Sequence, residues 1–248
     1  KRIQMLIPFN NLLFYKNKIS GIIHIGAHEL EELPAYLKKR VKDIIWIEAN
    51  PGKYNLIENI INKHPYMFLG KFAAGSKKDK LFLNISNNGQ SSSILPLGTH
   101  KTSYPNIFYT SQVAVDVLPY DSWAKKTKLN NHLYNFINID IQGYELEALK
   151  GMKKQLIFVD YIYLEVNFRE VYINCSQIKE IDKFLSNFNF KRVGTFKTNK
   201  GWGDAIYVKN YIILNKIYYF FLIPLVKIIL IEWKIIKRIK LFLNSSKN

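Results

Sequence analysis

At 248 residues, 48% of them hydrophobic and 15% aromatic, the chain carries enough apolar mass for a substantial core, which excludes wholesale disorder. Its single cysteine, Cys175, excludes an internal disulfide framework and a Cys-rich zinc site, and fits a reducing compartment. The formal net charge of +17 raises nucleic acid and anionic membrane as partners, yet only five of the 36 basic residues are Arg. Abundant Lys, Asn and Ile point instead to an A/T-rich genome, such as that of a virus or parasite, with charge spread over the surface. Arg-rich patches interleaved with aromatics are not evident, so nucleic acid is the weaker expectation.

Three regions differ in composition: a mixed lead-in over 1–18, an alternating region over 19–209, and an apolar and basic tail over 210–248. In the lead-in, Lys1 and Arg2 precede an apolar stretch broken by Pro8, Asn10 and Asn11, which is no secretory pattern. Ser20 to Ala27 is a continuous apolar run ending in glycine, suited to a strand buried on both faces. Leu30, Leu33 and Leu37 follow at helical spacing. A second buried strand ends at Pro51, and Leu56, Ile60 and Ile61 repeat the helical period. The stretch from Asn84 to Tyr109 fits neither period. It is dense in Ser, Asn, Gly and Pro, and reads as a functional loop or as a loose surface insertion.

Beyond it, "YNFINIDIQG" and "VDYIYLEVN" are two further buried strands flanking the short helix "YELEALKGM". "NFNFKRVGTF" and "WGDAIYVK" close the region as an antiparallel hairpin. Alternating helices and strands, with no in/out alternation in the strands, predict a doubly wound, mostly parallel α/β sheet.

Ligands in such sheets sit outside the carboxyl ends of the strands, near the switch point. Gly26 and Ala27 end the first strand, where small residues let backbone approach a ligand. Glu48 ends the second, about twenty residues on, where a carboxylate can accept bonds from both ribose hydroxyls of a nucleoside. Asp140 ends the third, Glu145 opens the helix after it, and Glu165 and Asn167 end the fourth. Glu145 reads equally as a residue favoured by the helix dipole. The four carboxylates share one edge, but spacing alone does not divide them into bases, metal ligands and hydrogen-bond acceptors.

The series "IIHIGAH", "IWIEANP", "SNNGQSSSI", "FINIDIQGYELEALKG", "YLEVN" and "WGDAIYV" resembles the FkbM family of S-adenosylmethionine-dependent methyltransferases over residues 19–209. The resemblance implies a Rossmann-like class I methyltransferase fold and transfer of methyl to a hydroxyl of a carbohydrate or glycoconjugate. It places Gly26, Ala27, His28, Glu48, Asn50 and Asp140 at the cofactor. Gln142 stands where many members carry Glu, and His28 where many carry Asn, which suggests a subgroup. Asp140, Glu165 and His100 are the candidate bases; His100 reads also as an ordinary loop residue. Asn88, Ser92, Ser93 and Asn167 are expected to bind acceptor hydroxyls. A divalent metal at Asp140 is conceivable, without a ligand spacing to support it.

In the tail, only Lys227 is charged between Ile217 and Ile231, and Pro224 interrupts the run. Lys234, Lys237, Arg238 and Lys240 then alternate with apolar residues, as in a basic amphipathic helix that lies on anionic lipid. An interfacial anchor is expected rather than a spanning helix, with helices packed on protein as the alternative. The enzyme is expected in the cytoplasm or at the cytoplasmic face of a membrane, with oligomerisation open. The rivals are an RNA methyltransferase and a non-catalytic module that binds glycan or lipid on the same fold.

Overall fold

The computed structural model describes residues 18–212. The chain divides into two compact units, Lys1–Lys209 and Asn210–Asn248, and the first carries every element named below. The expected tail helices lie outside the described residues. No helix among the described residues is long and apolar enough to cross a membrane.

Five parallel strands form the centre of the sheet: β1 (Gly21–Ile25), β2 (Asp43–Glu48), β3 (Met67–Lys71), β7 (Phe136–Ile139) and β8 (Tyr161–Asn167). With the closing hairpin, β9 (Phe190–Lys197) and β10 (Trp202–Lys209), they give the seven-stranded order β3-β2-β1-β7-β8-β10-β9. β10 runs antiparallel to both neighbours, inserted between β8 and β9. The order turns back between β1 and β7, which makes their carboxyl ends the switch point.

Strand periodicity explains the core. Ile23, Ile25, Ile45, Ile47, Ile137, Ile139, Ile162 and Leu164 share one face and are essentially fully buried. That face packs against residues of α4 (Tyr120–Lys126), α5 (Glu145–Lys150) and α6 (Ile178–Ser186). Each such side chain contributes about 1.5–3 kcal/mol by leaving water. The opposite face is more polar: His24, Trp46 and Asn138 stand side by side in register. Tyr36 of α1 (Leu33–Lys38) reaches them, its hydroxyl 3.0 Å from His24 Nδ1 and 2.8 Å from Asn138 Nδ2.

Local structure departs from the periodic reading at three places. Leu30 is buried, but at φ +62 it sits in the turn before α1, whose start is set by Pro34. In α2 (Tyr54–Ile61) the buried pair is Ile57 and Ile61, while Leu56 is 42% exposed. The stretch 84–109 is neither one loop nor loose. β5 (Asp79–Ser86) and β6 (Tyr109–Leu118) pair antiparallel and, with β4 (Ala73–Ala74), form a second, three-stranded sheet. Between them Ser93 pairs back on Asn84, with bonds of 2.9 and 3.1 Å. The amides of Gly98, Thr99 and His100 then bond to Val171 and Glu170 carbonyls, tying short α3 (His100–Ser103) to the segment after β8.

Candidate active site

The first cleft opens at the switch point. Gly26, at φ +95, packs so tightly that a Cβ there would lie 2.0 Å from the Asp140 carbonyl oxygen. Its amide and that of Ala27 both donate to the Ile47 carbonyl, at 2.9 and 3.1 Å. One glycine thus draws the ends of β1, β2 and β7 together. Glu48 takes one backbone N–H on each carboxylate oxygen, from His28 at 2.8 Å and Asn50 at 2.7 Å. Each oxygen keeps lone-pair capacity toward the cleft. Burial pushes the Glu48 carboxyl upward, partly offset by those amides.

His28 stands at φ +45 with Nδ1 2.6 Å from Glu31 Oε1, and its Nε2 is buried without a partner. The Asn50 side chain accepts from Gly52 N–H at 2.9 Å, capping the turn Pro51–Lys53. Ile47, Phe72, Leu83, Ile94 and Tyr144 supply apolar wall, and the cleft measures about 640 Å³ with its mouth included.

A second cleft of about 570 Å³ adjoins the first, and Gln90 and Gln142 line both. Its walls are aromatic: the His100 ring lies 4.9 Å from Tyr104 and 5.4 Å from Tyr172, and Trp202 Nε1 donates to the Tyr104 hydroxyl at 3.0 Å. Glu165, Asn88 and Ser91 add polar groups. At the border the Gln142 amide nitrogen bonds Asp140 Oδ1 at 2.5 Å and Glu165 Oε2 at 3.2 Å. Its amide oxygen accepts from the Tyr172 hydroxyl. Glu145, fully buried, braces the turn by accepting from the Ile141 and Gly143 amides at 3.2 and 2.9 Å. Burial pushes its carboxyl up to about 7.

The structure distributes the sequence-expected residues as follows. Gly26, His28, Glu48, Asn50 and Asp140 line the first cleft; Ala27 is fully buried beside it. Glu165 and His100 line the second. Asn88 lines the second cleft, but its amide engages Ser86 and Ser91. Ser92 lines the first and donates to the Gly89 carbonyl at 2.7 Å. Ser93 is buried, its hydroxyl donating to the Gln142 carbonyl at 2.7 Å. Asn167 is fully buried with neither side-chain atom partnered, and it lines neither cleft.

Tyr104, Tyr172 and Trp202 were not singled out by sequence reasoning, whereas Gln90 falls in the loop 87–93 that it expected over the acceptor. Strand-end logic does not cover the three aromatics, because loops and the hairpin deliver them. Among the described residues no group of three or more His, Cys, Asp or Glu converges to hold a metal ion.

Residues 24–192 match the family described as the methyltransferase FkbM domain. The chain belongs to the FkbM methyltransferase family. Membership makes it a methyltransferase, with S-adenosylmethionine as methyl donor. No curated relative matches the sequence. Among solved structures it is similar to Streptococcus pneumoniae Sp1610, a candidate tRNA (m1A22) methyltransferase, at 11% identity and TM-score 0.45, over 78% of this chain and 65% of that one. A protein of the NADB-Rossmann superfamily from Streptococcus agalactiae aligns at 13% identity and TM-score 0.46, over 84% and 69%. Aeropyrum pernix fibrillarin, solved with natively bound S-adenosylmethionine, aligns at 11% and 0.41, over 77% and 67%. The chain spans about two thirds of the length of each.

The first cleft fits the cofactor on chemical grounds. Glu48 offers two acceptor oxygens to ribose hydroxyls, and the unpartnered His28 Nε2 would be a further polar group for the cofactor. The apolar wall suits an adenine, and the Asp140 carboxylate suits the positive sulfonium.

Proposed function

We propose that this FkbM methyltransferase methylates a hydroxyl of a carbohydrate or glycoconjugate, with the acceptor in the second cleft. The observation that carries this reading is the composition of that cleft. The rings of Tyr104 and Trp202 offer flat apolar surface to the C–H faces of a sugar, and the buried Tyr172 ring packs on His100 beside them. Gln90, Ser91 and Glu165 offer polar groups to its hydroxyls. The cleft meets the cofactor cleft at Gln90 and Gln142, where acceptor and methyl would face each other.

Bound cofactor supplies an electrophilic methyl whose C–S electron pair leaves with sulfur as the acceptor oxygen forms the new C–O bond. The protein's part is to align the acceptor, exclude water and take the hydroxyl proton. Glu165 accepts that proton, since it lines the acceptor cleft one residue's reach from the border. Asp140 lies on the cofactor side of the same border, its carboxylate set against the sulfonium charge.

Transfer of labelled methyl to a panel of free and lipid-linked saccharides tests the reading, with RNA as the counter-substrate. Label on a saccharide hydroxyl, with turnover changing less than about threefold between 50 and 200 mM salt, is the expected result. Label on RNA alone, with affinity falling by a factor of about 10³ or more over that range, would replace it, since counterion release dominates such binding.

A further inference from the structure

We infer that Gln142 is a positioning residue of the reaction: its amide locks the Glu165 carboxylate at the border of the two clefts, as an acceptor-only group ready for the substrate proton. The inference rests on the reading of the second cleft as the acceptor site.

Four contacts fix Gln142. Its nitrogen bridges Asp140 and Glu165, its oxygen takes the Tyr172 hydroxyl, and its backbone carbonyl takes the Ser93 hydroxyl. The side chain is 5% exposed and the backbone sits at φ +57, followed by Gly143 at +102. A non-glycine residue in that region carries strain on the order of 1 kcal/mol or more, which persists only where surroundings over-determine it. At this angle the side chain meets Asp140 and Glu165.

The chemistry also sets which way the amide faces. Ionised carboxylates accept and do not donate, so an amide oxygen turned toward Asp140 and Glu165 would meet two acceptors. The NH2 must face them, and the Tyr172 phenol then donates to the oxygen. An amide is suited to this place because it gives two N–H bonds to carboxylates and still accepts one bond. The N–H bond to Glu165 holds that carboxylate at the border of the clefts, where it takes a proton from the acceptor hydroxyl as the C–O bond forms. Gln142→Glu would add a carboxyl beside Asp140 and Glu165, with Asp204 of β10 already opposite Glu165 in register, and such a crowded group favours holding a proton.

Two measurements test this. The first follows methyl transfer against pH for wild type, Gln142→Met and Gln142→Glu, with S-adenosylhomocysteine binding as control. Gln142→Met is expected to lower kcat about 100-fold at saturating cofactor. Gln142→Glu is expected to move the acid limb of kcat upward by about one pH unit. A kcat within threefold of wild type in both variants, at saturating cofactor, would overturn the inference.

The second needs no acceptor. In 15N spectra of the full chain, the side-chain NH2 pair absent from Gln142→Met should exchange slowly with solvent and move on Glu165→Gln. A pair exchanging at the solvent rate, indifferent to Glu165→Gln, would overturn the inference whatever the acceptor is. If wild type methylates no saccharide while that pair is protected, the acceptor reading fails by itself.

Discussion

Glu145 shows what burial does to a single group. With no exposed surface and one carboxylate oxygen unpartnered, its carboxyl is pushed up to about 7 from 4.5. The folded chain therefore binds an extra proton between those values. The associated stability is fully present below about 4.5 and is lost as pH rises through 7. Glu145→Gln keeps an acceptor for the Ile141 and Gly143 amides and removes the titration. The variant should gain about 2–3 kcal/mol on wild type between pH 5 and pH 8, several degrees in Tm, read by melting at each pH. Parallel melting curves across that range would refute it.

His24 works in the other direction. Burial lowers its pKa to about 4, so its contribution is present above 6.5 and is lost as pH falls through 4. At this scale the sequence disclosed those side chains whose place follows from strand ends, such as Glu48, Asp140 and Glu165. It did not disclose that Gln142 stands between two of them, because a left-handed backbone angle, which no periodicity encodes, turns it inward.

At the scale of elements, the contact of β1, β2 and β7 hangs on Gly26. Gly26→Ala would drive a methyl against the Asp140 carbonyl at a backbone angle L-residues rarely adopt. We expect a loss of at least about 2 kcal/mol in chemical denaturation, together with loss of cofactor binding. Stability within about 0.5 kcal/mol of wild type would mean the three ends can part without penalty. The fully buried strands were legible because each is a short run of mostly β-branched, aromatic and other apolar residues without in/out alternation. The sheet of β5 and β6 was not, since Phe82 is 61% exposed and polar residues such as Lys80, Gln112 and Asp116 interrupt the strands. The loop between them fitted neither period for a related reason: serine and asparagine side chains replace sheet pairing as its scaffold, through Ser86, Asn88, Ser91 and Ser92.

For the whole molecule, strand order and site are one fact. The reversal between β1 and β7 leaves a crevice, the carboxylates at the strand ends furnish it, and the second sheet with its loop walls it. The charge of +17 has no counterpart in the clefts, whose titratable lining includes Glu48, Asp140 and Glu165. The central claim is that Glu48 and the loop after β1 hold S-adenosylmethionine. Calorimetry of S-adenosylhomocysteine on the full chain, with wild type beside Glu48→Ala and melting as the fold control, tests it directly. The account predicts micromolar binding by wild type, about −8 kcal/mol, and at least a 30-fold loss, about 2 kcal/mol, in a folded Glu48→Ala. Equal affinity in the two proteins, or no binding by a folded wild type, would contradict it.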